Sequence, residues 1–383
     1  MDRNGSLVTG ADVDYNGSPA GYTADPQENI VYIAAHDNQT LFDIGQYHHP
    51  VPTAMADRVR AQNVGNAITS LAQGVPFFHA GQDMLRSKSL DRDSFNSGDW
   101  FNRLDFTYQS NNWGVGLPVA EKNESNWPIQ GPLLANPDLR PEPGDIEFNV
   151  AVTREWLQVR QSTPLFRLET AAEVQERVSF LNTGAGQIPG LIAMQITDPS
   201  DGAIVLDPTL DRVVALFNPT DETIDFVVSE LAGLPLRLHD VLAESVDPVV
   251  ATSSFDPVSG MFSIPARTAA VFVSDETPPE ATASLDFVRG GEGSAWFRVG
   301  YSCSDISGIA ATTAEINGVS VIDGEVVHLV TLDDPDATPR WRRSKKGKLK
   351  IWDFTFELVV TCEDTYGNVG TATVSPVFGD GPR

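Results

Sequence analysis

The stretch that decides the fold lies near the amino terminus: residues 30–37 read IVYIAAHD, and residues 38–43 continue as NQTLFD. Residues 30–34 form a short, continuous apolar run, which is typical of a strand buried on both faces of a parallel sheet. The polar pair His36 and Asp37 follows this strand directly. Polar groups at the carboxyl end of such a strand point into the mouth of a barrel or the crevice of an open sheet. We therefore expect chemistry at this point.

The residues that follow predict a strand, helix, strand unit. Apolar residues recur at helical spacing between Ala54 and Ala72, Gly74 suits a helix C-terminus, and residues 75–79 form a second apolar run. Residues 81–145 are polar, aromatic and rich in Pro and Gly, which predicts a long, ordered and functional loop. Residues 146–161 then predict an amphipathic helix that stops before Pro164.

Beyond Pro164 the pattern changes to short β runs separated by turn residues, which predicts an antiparallel sandwich. The predicted strands cover residues 190–197, 212–218, 223–228, 236–242, 261–264 and 269–273. The charged, Pro-rich stretch at 275–280 is typical of a domain boundary, and the β pattern restarts after it. The fold class is therefore α/β plus all-β, with domains predicted at 1–163, 164–274 and 275–383.

The last domain contains both cysteines of the chain, Cys303 and Cys362, each within an alternating β run. They could join two facing sheets of an immunoglobulin-like sandwich through one disulfide, or remain two buried thiols. Asp305 and residues 363–368 could offer oxygen ligands to Ca²⁺, but clusters of this composition also form turns, and we favour turns. No other cofactor is indicated.

The charge balance excludes several classes of partner. Lys and Arg total 26 against 52 Asp and Glu, so the net charge is -26. Such a chain would repel nucleic acid and anionic lipid, and a neutral partner fits better. No run of 18 apolar residues occurs, so no membrane insertion is expected.

Several blocks of sequence, in the same order, resemble pullulanase-type α-1,6-glucosidases of the α-amylase clan, glycoside hydrolase family 13. This family combines a (β/α)8 barrel with a C-terminal β-sandwich. The resemblance therefore implies that this chain holds the last quarter of the barrel, with barrel strands seven and eight at residues 30–34 and 75–79. The similar blocks are residues 14–22, 36–43, 74–81, 85–89, 93–103 and 162–168, within a span of about residues 10–273.

The resemblance also implies an activity, the retaining hydrolysis of α-1,6 linkages in pullulan, glycogen or starch dextrins. Such enzymes use one carboxylate as nucleophile and another as general acid and base. Both would lie upstream of this chain, so the chain as given should be inactive. Export from the cytoplasm, to an extracellular or periplasmic location, would depend on an upstream signal. Asp37 would be the transition-state stabiliser, and α-glucan would be bound by His36, Asn38, Asp99, Trp100 and Arg103.

The same residues also have structural interpretations. His36 could donate to a carbonyl while Asp37 caps a turn, and Asp99 could form an internal ion pair with Arg103. Trp100 could pack within its own loop. For the whole chain, one alternative is a non-catalytic carbohydrate-binding module with cell-surface association through the C-terminal domain. Another is a gene fragment without independent function.

Overall fold

The computed structural model describes residue 6 and residues 8–198, 204–291, 294–330 and 356–375. The chain divides into two compact units, Met1–Ser274 and Asp275–Arg383. It mixes helices with several separate antiparallel sheets, and among the described residues one pair of strands is parallel. Within those residues no helix is long and apolar enough to cross a membrane.

The described part of the first unit contains eight α-helices. They are α1 Leu41–His48, α2 Met55–Leu71, α3 Asp99–Asn102, α4 Ala120–Asn123, α5 Trp127–Ala135, α6 Pro143–Ser162, α7 Ala171–Arg177 and α8 Asp240–Ala243.

Helices α2 and α6 confirm the two helices predicted from apolar spacing. α6 begins with Pro143 at its first position and with a capping box formed by Glu142 and Asp145. It ends next to Thr163, just before Pro164, as the missing N–H of proline requires. The two helices pack together, and the buried Arg160 of α6 donates to carbonyls at the C-terminus of α2. These contacts satisfy carbonyls that lack a partner within the helix.

The strands of the first unit build one small hairpin, one parallel pair and two antiparallel sheets. The strand order is β5-β6-β7-β12-β9 in the larger sheet and β10-β11-β8 in the smaller one. The bounds are β1 Asp14–Tyr15, β2 Ser18–Pro19, β3 Ile30–Val31, β4 Val75–Pro76, β5 Val178–Phe180, β6 Ile192–Thr197, β7 Arg212–Asn218, β8 Ile224–Val227, β9 Arg237–Leu238, β10 Ser254–Asp256, β11 Met261–Ile264 and β12 Thr268–Ser274.

The parallel pair corrects the prediction made for residues 30–34. β3 does pair in parallel with β4, but each strand has two residues, and neither is buried on both faces. Ile30 is 51% exposed, and the side chains of Tyr32 and Phe77 beside it are also exposed. The apolar composition of residues 30–34 suits a strand that is covered on both faces. Among the described residues, however, no third strand pairs with β3 or β4.

Two further predictions were wrong in detail. The stretch 81–145 is not one long loop, because it contains α3, α4 and α5. Residues 236–242 form the short β9 followed by the first residues of α8, because His239 caps that helix by accepting from the N–H of Val241. Helix α7 has seven residues, and strands β5 and β10 have three each. Elements this short leave little periodic pattern, and they were not predicted.

The second unit contains two antiparallel sheets, with strand orders β13-β14-β17 and β16-β15-β18-β19. Their inward side chains, among them Phe297, Ile316 and Leu358, form a separate hydrophobic core. The bounds are β13 Glu280–Gly291, β14 Ser294–Ser304, β15 Ile309–Ile316, β16 Val319–Ser320, β17 Val326–Val330, β18 Leu358–Asp364 and β19 Val369–Val374.

Candidate functional site

The candidate site is built around the turn that connects β3 to α1. His36 and Asp37 lie in this turn, and the Nδ1 atom of His36 is 3.0 Å from the Oδ1 atom of Asp37. Their side chains are 87% and 79% exposed. Asn38 has a φ of 61°, a left-handed conformation that Asn tolerates better than most residues. The turn thus presents an imidazole and a carboxylate to solvent side by side.

Helix α1 fixes the far end of this turn. Thr40 caps the helix by accepting a hydrogen bond from the N–H of Asp43. The carboxylate of Asp43 is completely buried and accepts from the hydroxyl of Ser87 and from the N–H groups of Lys88 and Leu90. Burial raises the pKa of Asp43 to about 6, although these hydrogen bonds act to lower it. Asp43 therefore anchors residues 87–90 to α1.

Those anchored residues bring a cation to the turn. Lys88 is 1% exposed, and its Nζ atom donates to the carbonyl oxygen of His36 at 2.8 Å. Burial lowers the pKa of Lys88, while the nearby charges of Asp43 and Asp91 act to raise it.

A second cation lies beside the first. Arg86 donates to the carbonyl oxygens of Ala80 and Asn102 and to the Nε2 atom of His79 at 3.1 Å. Burial, the charge of Arg86 and then that of Lys88 lower the pKa of His79 to about 4. The imidazole of His79 is therefore neutral near pH 7 and accepts the hydrogen bond from Arg86.

One open cleft, with a volume of about 220 Å³, is lined by the pair His36 and Asp37 and by the two cations Arg86 and Lys88, among others. A cleft of this size accommodates part of an oligosaccharide but not a long chain. Its lining is mostly polar, with Phe95 as its aromatic side chain, and consists of His36, Asp37, His79, Arg86, Lys88, Asp93, Ser94, Phe95 and Asn102.

The other predicted site residues do not line this cleft. Asn38, Asp99, Trp100 and Arg103 are exposed, and Trp100 is 61% exposed. Asp99 and Trp100 belong to α3, and Arg103 follows it directly. None of the ion pairs found among the described residues joins Asp99 to Arg103, so the internal ion pair is not formed. Part of the Trp100 indole lies against Gly98 of the same loop, and the rest is exposed.

Sequence reasoning did not assign roles to most of the lining residues. Five of them lie within the blocks that resemble the glucosidase family: His79, Arg86, Lys88, Ser94 and Asn102. The blocks could therefore have indicated these residues as candidates for the site. Their meeting with His36 depends on contacts across 43 to 66 residues of chain, which no local pattern encodes.

Asp93 is a second carboxylate at the cleft. It lines the same cleft as Asp37, and its Oδ2 atom lies 4.0 Å from the Nζ atom of Lys122.

In the second unit, Cys303 and Cys362 form a disulfide with a Cα–Cα distance of 5.7 Å. It joins β14 of one sheet to β18 of the other. The indole of Trp296 is stacked on the ring of His328 at 4.1 Å and has the guanidinium of Arg289 over it. These two groups come from the strands on either side of β14, so they cover both faces of a ring that could otherwise stack on a sugar.

The residues considered for Ca²⁺ also come together there. Asp305 and Asp364 lie with Asp275, so that one oxygen of each is within 4.8 Å of the others. Asp305 accepts from the N–H and hydroxyl of Ser307, and Asp364 accepts from the N–H groups of Tyr366 and Asn368. These contacts confirm that both residues form turns.

The first unit thus combines a polar cleft on a helical segment with separate antiparallel sheets, an arrangement similar to that of solved pullulanases. Residues 108–275 match the family model described as "Alpha-1,6-glucosidases, pullulanase-type, C-terminal". This stretch is therefore a C-terminal domain of the pullulanase type.

Known proteins similar to this chain agree with that assignment. Pullulanase 1, chloroplastic, from Arabidopsis thaliana is 45% identical over 71% of this chain and 29% of its own length. The pullulanase of Klebsiella pneumoniae is 37% identical over 71% of this chain and 25% of its own length. The crystal structure of the maltotriose complex of PulA from Klebsiella pneumoniae is similar with a TM-score of 0.66, at 36% identity, over 72% of this chain and 30% of that one. The chain therefore spans between a quarter and a third of the length of these relatives, which as pullulanases are glycoside hydrolases.

Proposed function

We propose that this chain supplies the sugar-binding wall of the active site of a starch-debranching pullulanase. His36 and Asp37 would bind hydroxyls of the glucose unit on the non-reducing side of the scissile α-1,6 bond. Asp37 would accept hydrogen bonds that strengthen as the ring flattens towards an oxocarbenium ion, and His36 would donate. Asn38, Asp99, Trp100 and Arg103 would contact glucose units further along the chain.

One observation carries this proposal. The exposed His36 and Asp37 are 3.0 Å apart, and both line a polar cleft of about 220 Å³. Side chains that serve only to stabilise a fold are usually buried among partners, whereas these two are open to a ligand. The similarity to a relative solved with maltotriose supports an α-glucan as that ligand.

Hydrolysis would need groups that this chain does not supply. A retaining glycosidase requires two carboxylates about 5 Å apart on either side of the glycosidic oxygen. We infer that β3 and β4 are the last two strands of a (β/α)8 barrel and that both carboxylates come from its earlier strands. The exposed side chains of Ile30, Tyr32 and Phe77 would then be covered by those strands.

The remaining parts of the proposal concern location and the second unit. Residues 164–274 would be the C-terminal sandwich of the pullulanase type, and residues 275–383 an immunoglobulin-like domain. We place the intact enzyme outside the cytoplasm, where the disulfide between Cys303 and Cys362 would persist.

Maltotriose binding tests the proposed glucan contact directly. Isothermal titration of the purified chain should show binding that Asp37→Asn weakens about tenfold or more, because a carboxylate acceptor is lost. Asp138→Asn is the matched control, since Asp138 is exposed in the same unit and does not line the cleft. Equal affinities for the wild-type chain and Asp37→Asn would refute the role of Asp37.

Pullulan hydrolysis tests the predicted inactivity. The purified chain should release no reducing sugar from pullulan above the rate of a heat-inactivated sample. Release that disappears in Asp37→Ala, and that persists in Asp138→Asn, would show that the chain holds a complete catalytic set. Asp93 would then be the first carboxylate to replace.

A further inference from the structure

We propose that Lys88 is a positioning residue: its ammonium group holds the main chain at His36 and thereby sets the direction of the His36 and Asp37 side chains. This inference rests on the proposed glucan site. It assigns a role to a residue that need not touch the sugar.

The burial of Lys88 requires an explanation. A lysine that is 1% exposed loses the hydration of its ammonium group, which is unfavourable unless partners replace it. The ion pairs found among the described residues include none for Lys88, and the carbonyl oxygen of His36 is its hydrogen-bond acceptor at 2.8 Å. The nearby carboxylates of Asp43 and Asp91 favour the ammonium charge, and the hydrogen bond to the carbonyl of His36 is the direct contact that this charge makes with the turn.

The backbone on which Lys88 sits is held rigidly. Leu85, Ser89 and Leu90 all have positive φ angles, between 52° and 65°, a conformation that is strained for residues with a side chain. The contacts of Asp43 with residues 87, 88 and 90 hold this strained segment in place. The ammonium group therefore extends from a fixed point.

Two hydrogen bonds of Lys88 attach the turn at both of its ends. Lys88 binds the carbonyl of His36 through its side chain, and its own N–H binds Asp43, which lies seven residues after His36 in α1. Both ends of the segment between His36 and Asp43 are thus attached to the same residue. Loop motion between two attached ends is much smaller than in a free loop.

This attachment matters because His36 and Asp37 have little else to orient them. In the part of the chain that the structure describes, the polar side-chain contact of each is with the other. Their direction in the cleft follows from the main chain, and a displacement of about 1 Å is enough to weaken a hydrogen-bonded site strongly.

Backbone dynamics provide the first test, which does not depend on glucan binding. The variant Lys88→Met keeps the length of the side chain and removes the ammonium group. NMR order parameters of residues 36–39 should fall below about 0.6, from the rigid range near about 0.85, while α1 stays unchanged. Ser89→Ala is the matched control, because it removes a buried donor to the carbonyl of Gly116 in the same loop without touching His36. Unchanged order parameters in Lys88→Met would overturn the proposal.

A double-mutant cycle in maltotriose affinity provides the second test. Lys88→Met should weaken binding about tenfold in the wild-type background and by a smaller factor when Asp37 is already Asn, because the part of the effect that passes through Asp37 is then lost and only the part through His36 remains. Equal losses in both backgrounds would indicate a role independent of the turn and refute the proposal. If Asp37→Asn leaves affinity unchanged, the proposed function fails, and the order parameters alone decide the role of Lys88.

The pKa of His79 shows whether each variant remains folded. It should stay below the ordinary value of 6.5 in Lys88→Met, because burial and Arg86 still lower it, and rise slightly as one nearby charge is lost. If Lys88→Met does not fold, Lys88→Gln keeps an amide donor. It should then preserve both the order parameters and the affinity within about threefold, and a tenfold loss with rigid residues 36–39 would overturn the proposal.

Discussion

Replacing the buried Asp43 by Asn should remove a component of stability that depends on pH. Asp43 is fully buried, and burial raises its pKa from 3.8 to about 6. The folded protein therefore holds this proton more tightly than the unfolded chain does. The contribution of this tighter proton binding to the free energy of unfolding is fully present below pH 3.8 and is lost as the pH rises through about 6.

The size of the effect follows from the shift. A change of about two pKa units corresponds to about 3 kcal/mol, which is the full loss between acid pH and pH 8. The part that falls between pH 5 and pH 8 is about 1 kcal/mol. Asn has the same shape and no charge, so its contribution should not change over this range. Its amide can replace one carboxylate oxygen by donating to the hydroxyl of Ser87, while its oxygen accepts from Lys88 and Leu90.

Urea denaturation, followed by tryptophan fluorescence at several pH values, would measure how the stability difference between the wild-type protein and Asp43→Asn depends on pH. The free energy of unfolding of the wild-type protein relative to Asp43→Asn should fall by about 1 kcal/mol between pH 5 and pH 8. Asp138→Asn, an exposed substitution in the same unit, controls for the change in net charge. A relative stability that is flat or that rises with pH would refute the reasoning, since it would mean that the hydrogen bonds outweigh burial at Asp43.

Two further predictions concern the stability of each unit. Removing the disulfide by Cys303→Ala with Cys362→Ala should lower the free energy of unfolding of the second unit by about 4 kcal/mol, because the bond closes a loop across a sequence separation of 59. Thermal or urea unfolding measures this loss, and a value below about 1 kcal/mol would contradict the prediction. Arg60 of α2 forms a buried ion pair with Asp247 and also donates to Thr268, so Arg60→Met should cost about 3–5 kcal/mol by leaving Asp247 unpaired. Combining it with Asp247→Leu should restore part of that loss, and a double variant less stable than Arg60→Met would show that the unpaired charge is not the cause.

The cleft depends on long-range contacts in a way that limits sequence prediction. The block at residues 85–89 was noted as a resemblance, yet nothing in it predicts that Lys88 would be buried against a carbonyl 52 residues earlier. Conversely, Asp99 and Trp100 were predicted as binding residues, and the structure places them as exposed side chains of α3, which contributes Asn102 but neither of these two to the lining of the cleft. Their proposed contacts with glucan would therefore lie further from His36.

The sequence by itself determined the elements whose physical cause is local. The spacing of apolar side chains predicts α2 and α6, short β runs between turn residues predict β7 and β12, and the polar pair after an apolar run marks His36 and Asp37. The tertiary structure alone decided the exposure of β3, the burial of Asp43 and Lys88, and the meeting of Asp275 with Asp305 and Asp364. Local periodicity selects a helix or a strand within a few residues. Burial, and the pKa values and contacts that follow from it, depend on segments distant in the chain, and these meet only in the folded protein.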